Sequence, residues 1–460
     1  MRSTETSASR RSSLIRRVVF VGVAALVLLV GGGIVGLRAT SHPSSGDDAT
    51  RNPAAAGGNA AAAGRAQSVT VASDTAIARA QQRLRQVPGD WVTWAALGSA
   101  YLERARVTAD PTYYPKAEGA LDKSMSLRSR DNADALTGLG ALSNARHDFS
   151  DGAKRARQAL AVDPYDAEAY GVLTDALTQL GDAAGATDAV QHMLDLRPGL
   201  SAYTRASYDL ELHGRIADAE TLMAQALQDS VDPADIAFCR YQLGELAWQD
   251  GRIADADREY AAGVAADPAY LPLREGQAKV AAAQGQTDAA LRGYAELTQV
   301  YPSPAYFLEY SDLLRSVGRT TQADAQVALA AAAQQLFTAN GGNDDLTGGA
   351  VALAQGRVAD AVRLASKEWQ RRHFADVADA LAWALHADGK DSAALTYARQ
   401  AGALGARNAK YAFHLGMIEL GLHNTTAARA DLERAREINP NFSPVDAPVL
   451  RSELDRLGSS

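Results

Sequence analysis

The chain has 460 residues, 47% hydrophobic and 22% charged, and its single cysteine, Cys239, excludes an intramolecular disulfide and any multi-cysteine metal site. Its formal net charge of −8 is unevenly spread: six arginines against Glu5 give residues 1–38 a net +5, which leaves −13 on everything after them. That acidic remainder repels phosphate and argues against nucleic acid as a partner.

Residues 1–17 form a basic head, followed by Val18–Leu37, 20 uncharged and almost wholly apolar residues. As a helix this stretch is about 30 Å long, one hydrocarbon thickness. Arg10, Arg11, Arg16 and Arg17 precede it, so the positive-inside rule keeps the N-terminus in the cytoplasm and sends the rest across. The expectation is a single-pass cell-membrane anchor with the remainder extracytoplasmic. The apolar core is long for a signal peptide and no small-x-small cleavage site follows at once, which favours a retained anchor over a secreted, cleaved form. Gly31, Gly33 and Gly36 match G-x-G-x-x-G only formally, since no strand precedes them. Gly32 and Gly36 form a GxxxG pair through which two anchors could pack into a homodimer. Residues 38–70, rich in Ala, Gly, Ser and Asn, read as a disordered linker.

From there one phrase recurs. In Leu243–Pro268, Leu243, Gly244, Gly251, Ala256, Tyr260 and Pro268 stand at positions 7, 8, 15, 20, 24 and 32 of a unit of about 34 residues. Thr75–Val87 reads as half a unit. The first full one carries Trp94, Leu97, Gly98 and Tyr101, and its helices are parted by an insertion around Val107–Tyr113. Six more follow, with Gly140, Leu173, Gly214, Gly251, Gly285 and Gly318 among their markers. The phase then blurs across 336–350, where Asp345, Gly348 and Gly349 replace the expected large and small residues. Three further units carry Gly356, Gly389 and Gly416. Small residues at positions 8 and 20 let paired helices approach; glycine near 15 stops the first helix and proline near 32 the second. About ten units thus fill 71–445, and 446–460 form a capping helix with Leu450, Leu454 and Leu457 on one face.

The region from about Thr75 to Leu457 resembles bacterial membrane-anchored tetratricopeptide repeat (TPR) proteins. Phrases such as RPGLSAYTRASYDLELHGR (Arg197–Arg215) and INPNFSPVDAP (Ile438–Pro448) carry the likeness to extracytoplasmic members. The resemblance implies an all-α fold, a right-handed α-solenoid with a concave groove that binds protein or peptide, and no catalytic residue. The weak eighth unit puts a continuous groove across 336–350 in doubt.

No catalytic, metal or cofactor constellation stands out. The eight histidines include no pair at i,i+3 or i,i+4, and HExxH, Walker, G-x-S-x-G and EF-hand patterns are absent. What remains is the groove, expected at positions near 2, 5, 9 and 12 of each first helix. Those positions place Asn144, Asp175, Tyr208, Glu211, Tyr241, Glu245, Trp248, Asp312 and Arg315 there, with Arg205 at the edge. Aromatic and arginine side chains would anchor a peptide; packing between repeats is the plainer role for the aromatics. The leading expectation is therefore a non-enzymatic, membrane-tethered scaffold. Two alternatives stay open: a hydrolase or metalloenzyme assembled across repeats, and a structural self-assembler.

Overall fold

The computed structural model describes residues 60–458, with side chains from Ser73 onward. The basic head, the Val18–Leu37 span with its GxxxG pair, and the linker up to residue 59 lie outside the described residues. Among the described residues no helix is long and apolar enough to cross a membrane.

α1 (Ala60–Gln86) begins inside the segment expected as linker and ahead of Thr75. Ten helical hairpins follow. The first four are α2 (Trp91–Thr108) with α3 (Tyr114–Leu127), α4 (Ala133–Ala145) with α5 (Phe149–Val162), α6 (Ala167–Leu180) with α7 (Ala183–Leu196), and α8 (Leu200–Leu212) with α9 (Ile216–Asp229). The middle three are α10 (Pro233–Gln249) with α11 (Ile253–Ala266), α12 (Pro272–Ala283) with α13 (Thr287–Val300), and α14 (Pro304–Ser316) with α15 (Thr320–Ala339). The last three are α16 (Asp345–Ala354) with α17 (Val358–Arg371), α18 (Ala375–Ala387) with α19 (Asp391–Ala401), and α20 (Ala409–Gly421) with α21 (Thr425–Ile438). The cap α22 (Asp446–Gly458) closes the array, and Leu450, Leu454 and Leu457 are buried as expected.

Local chemistry sets the helix ends. The side chains of Asp90, Asn132, Asp166, Asp182 and Asn408 accept from backbone N–H groups of the first turns they precede. Within hairpins the corner residue is usually a left-handed glycine, such as Gly251 at φ 72° and Gly285 at φ 76°. His147 and His423 hold the same left-handed corner in units that lack the glycine.

One large second-helix side chain wedges between successive first helices. The Tyr260 ring is wholly buried between Gly244 and Gly276, where an added Cβ would sit 2.3 Å and 2.6 Å from its Cε1. Leu121 fills the matching slot between Gly98 and Gly138. First helices also pack on the next first helix, as α2 on α4 and α18 on α20, with no comparable packing between second helices among the described residues. The first helices therefore form the inner wall of a curved α-solenoid.

The curvature is tight enough that the coil meets itself. Corners inside early hairpins dock on connections about one superhelical turn later. The Tyr301 hydroxyl donates to the Arg106 carbonyl at 3.4 Å, 195 residues away. The Asn343 N–H donates to Arg146 O at 2.8 Å, and the His373 N–H to Leu180 O at 3.2 Å. The Arg372 guanidinium donates to Gln179, 193 residues away, and Asn439 Nδ2 to Trp248 O at 2.7 Å, 191 residues away. The Arg407 guanidinium reaches Asp250 at 3.0 Å. Apart from the Arg407–Asp250 pair, 157 residues apart, the separation is nearly constant and means one turn per roughly five to six repeat units. These joints form a continuous seam.

The blurred eighth unit takes part in it. α15 runs on to Ala339, and its Phe337 ring lies 5.2 Å from the His147 ring and 6.3 Å from that of Tyr114. α16 and α17 then form an ordinary hairpin, with Ala361 wholly buried beside Gly349. The departure from repeat phase therefore supplies a seam contact between the turns. Tyr114, the first residue after the insertion in the first unit, packs there too.

Candidate functional site

The seam closes over much of the expected concave groove, and most of its first-helix side chains are buried. Tyr208 and Leu212, on α8, pack across it against Leu346, Phe374 and Val377. The groove residues therefore do not share one free face. Arg205 and Asp175 form a buried bidentate pair, 2.8 Å and 2.7 Å, between neighbouring first helices. The Asn144 amide donates to Val172 O at 2.9 Å, bracing α4 against α6. Arg315 pairs with Asp324 at 2.7 Å. Trp248 packs against the buried cluster that holds Tyr241, Tyr260 and Leu273, with the Lys279 ammonium 5.5 Å from its ring centroid. Packing and bracing account for these side chains.

Tyr241, Glu245 and Asp312 belong to two buried polar clusters along the inner wall. In the first, Lys279 Nζ on α12 donates to both oxygens of Glu245 at 2.7 Å and 2.8 Å and pairs with Glu275 at 2.7 Å. The Tyr260 hydroxyl donates to Glu245 at 2.5 Å, the Tyr241 hydroxyl to Glu275 at 3.2 Å, and the Tyr294 hydroxyl to Glu309 at 3.1 Å. One ammonium thus serves three carboxylates. Burial, opposed by Lys279 and reinforced by Glu245 and Glu309, pushes the Glu275 carboxyl well up. Burial likewise pushes Glu309 up to about 7 against the pull of Lys279 and Tyr294.

The second cluster joins α14, α18, α20 and α22. Lys410 Nζ lies 3.3 Å from Asp379, whose other oxygen meets His414 Nδ1 at 2.8 Å. The Tyr411 hydroxyl donates to Asp376. The His414 ring stacks on Trp383, centroids 4.0 Å apart, and burial favours its neutral form. Asp446 Oδ2 accepts from the Ser443 hydroxyl at 3.0 Å. Burial pushes the Asp446 carboxyl up to about 7 and Asp312 well above its ordinary range, the latter with help from Asp446 and Glu309. Glu211 rises to about 7 through burial, reinforced by Glu245 and Asp376 and opposed by Gln249.

Glu275, Lys279, Glu309, Asp376, Asp379, Lys410 and Asp446 are the inner residues that sequence reasoning missed. Glu275 and Lys279 had a signal, since each follows Tyr241 or Glu245 by 34 residues. The electrostatic influence of Asp446 on Asp312 has none, because it links α14 with α22 across the coil. Among the described residues no group of three or more His, Cys, Asp or Glu side chains is arranged to hold a metal ion. Cys239 is buried, and burial pushes its thiol up to about 11, away from thiolate chemistry.

No protein-family profile and no curated protein matches the chain. Solved structures do. A human IFIT1 dimer with PPP-AAAA is 13% identical, with a TM-score of 0.44, covering 72% of this chain and 78% of that one. A tetratricopeptide repeat protein from Parabacteroides merdae is 16% identical, TM-score 0.35, covering 57% and 99%. PilW, described as a type IV pilus biogenesis factor, is 18% identical, TM-score 0.36, covering 43% and 90%. The architecture rests on the hairpins, the glycine slots and the inner wall of first helices.

Proposed function

We propose that the protein is a non-enzymatic scaffold that is tethered to the membrane, extends outside the cytoplasm, and holds a protein or peptide partner on the inner wall of its repeat coil. The observation that carries this reading is the placement of ionisable and tyrosine side chains along the inner wall, around Lys279 and Lys410. A solenoid whose only task was to stand would be more stable with apolar residues there, since desolvating charges costs more than their pairing returns unless the geometry is excellent. The Val18–Leu37 span, the basic residues before it and the Ala/Gly-rich segment after it support the tethered topology. Many TPR-type repeats bind partners on the inner wall, and this coil places its buried polar clusters along that wall.

Two measurements test the reading. A photo-crosslinking residue replacing Arg315, on the inner wall, should capture one partner in intact membranes, while the same residue replacing the outward Glu433 should not. Capture from the outer position alone refutes the inner wall as the binding surface. A C-terminal reporter active only outside the cytoplasm should be active, and a silent reporter refutes the topology.

A further inference from the structure

One joint of the seam is built around a histidine. His147 turns the corner between α4 and α5 with a left-handed backbone, φ 60°, where most other units use glycine. Its side chain is only 15% exposed and is spent on the seam. The ring stacks on Phe149, centroids 5.4 Å apart, and meets Phe337 of the next turn at 5.2 Å. Its Nδ1 has no hydrogen-bond partner. Asp344 Oδ2, also from the next turn, stands 3.8 Å away, beyond hydrogen-bond reach. The other oxygen of Asp344 accepts from the Thr347 N–H at 3.0 Å, which fixes the carboxylate as the cap of α16.

The charges around this ring are set by both turns. α17 and the residue after it bring Arg371 and Arg372, both paired with the buried Glu368. The Arg372 guanidinium lies 5.1 Å over the Phe149 ring and donates to Gln179 across the seam. Asp345 is held by Lys367 at 2.9 Å and Arg371 at 3.6 Å. On the side of His147 itself, Arg146 pairs with Glu118 of α3 at 2.9 Å, and Asp148 accepts from the Asp151 N–H at 3.2 Å to cap α5. α15 brings no charge, since residues 325–343 contain no Asp, Glu, Lys or Arg. His373 is exposed, with its ring 4.5 Å from Trp369. A proton on His147 would therefore sit between phenyl rings and beside two guanidiniums, without a hydrogen-bond acceptor at Nδ1. Burial, reinforced by Arg372 and Arg371 and opposed by Asp344 and Glu368, pushes His147 below the ordinary histidine range.

We infer that this joint is a pH-sensitive clasp: neutral His147 lets the two turns of the coil close on each other, and protonation of its ring parts them. When the turns separate, the imidazole reaches water, where its charged form is hydrated. The closed joint thus binds fewer protons than the open one, so acid favours opening. That sign is opposite to the one set by the inner-wall carboxyls Glu309 and Asp446, which take up protons near pH 7 in the folded chain. The clasp does not depend on what the coil holds.

Hydrogen exchange on the full-length protein in detergent, corrected for intrinsic rates, provides the test at about pH 7.5 and about pH 5.5. The Asn343 and His373 amides donate across the seam to Arg146 O and Leu180 O. One proton taken up on opening, at an ordinary histidine pKa of about 6.5, raises the open population by up to about tenfold between those pH values. Protection at both amides should fall in acid by that order, while amides inside α11 keep theirs. His147→Asn tolerates the left-handed corner and does not titrate, so it should abolish the fall. His147→Gly, with the residue of the other corners, serves if the asparagine variant does not fold. The quantity compared is the ratio between the two pH values, which a uniform loosening of the seam does not change. His423→Asn alters the other histidine corner, which is exposed, and should leave the fall intact. Unchanged wild-type protection in acid, a fall that persists in both His147 variants, or an equal fall in α11 overturns the clasp. Protection that rises in acid overturns it as well, because a His147–Asp344 ion pair would then be closing the joint.

Discussion

Lys279 is the residue on which the inner wall's first cluster depends. It is nearly buried, it pairs directly with Glu245 and Glu275, and its charge restrains Glu309. Lys279→Met would leave those carboxylates without a counter-charge in a desolvated setting, so a loss of about 3–5 kcal/mol is expected in urea unfolding at neutral pH. Adding Glu245→Gln should recover part of that loss, because the two residues act as one unit. The same crowding dictates a pH dependence. Glu211, Glu309 and Asp446 titrate near 7 when folded. In the unfolded chain such groups lose their protons near about pH 4. Between those limits the folded protein binds more protons than the unfolded one, so stability falls as pH rises. The melting temperature should be higher at about pH 5.5 than at about pH 8, and Glu211→Gln should flatten the slope. A melting temperature that climbs across that window would show these carboxyls to be ionised throughout.

At the level of elements, the hairpin is a slot and a wedge. Gly244→Ala places a methyl group 2.3 Å from Tyr260 Cε1, and the ring cannot retreat because Gly276 backs it on the other side. Overpacking of this kind costs about 1–3 kcal/mol, whereas Tyr260→Phe, which removes only the bond to Glu245, costs about 1 kcal/mol. Urea unfolding of the two variants should preserve that order. This layer of the fold was legible in the sequence because it is local: Gly244, Gly251 and Tyr260 lie within one repeat, and their spacing states their contacts. Tyr208 was legible only as far as its helix face. Spacing put it on the inner wall, and its partners Phe374 and Val377 belong to the next turn of the coil. Likewise the phase break after α15 looked like an interruption, because Phe337 finds its purpose against His147, far away in sequence.

At the scale of the whole molecule the seam changes how the array should behave. An open solenoid couples only neighbouring repeats, so its stability is close to a sum of local terms. Here each turn also braces the next, and the glycine corners record where. All have left-handed backbones, so alanine strains every one by about 1 kcal/mol. They differ in what lies outside. A Cβ at Gly285 meets nothing within 4 Å, while at Gly181, Gly214 and Gly251 it would stand 2.5 Å, 2.3 Å and 2.6 Å from the carbonyl oxygens of His373, Gly405 and Ile438. Gly285→Ala should therefore cost only the backbone strain. The triple variant Gly181→Ala, Gly214→Ala, Gly251→Ala should part the turns, with helicity kept and the radius of gyration from small-angle scattering increased. Hydrogen exchange provides the sharper readout, because the amides of Asn343 and His373 donate across the seam and not within a helix. Those two amides should lose protection in the triple variant while amides inside α11 keep theirs. Unchanged protection at both would mean the turns hold together without these corners, through the side-chain joints such as those of Arg372 and Asn439.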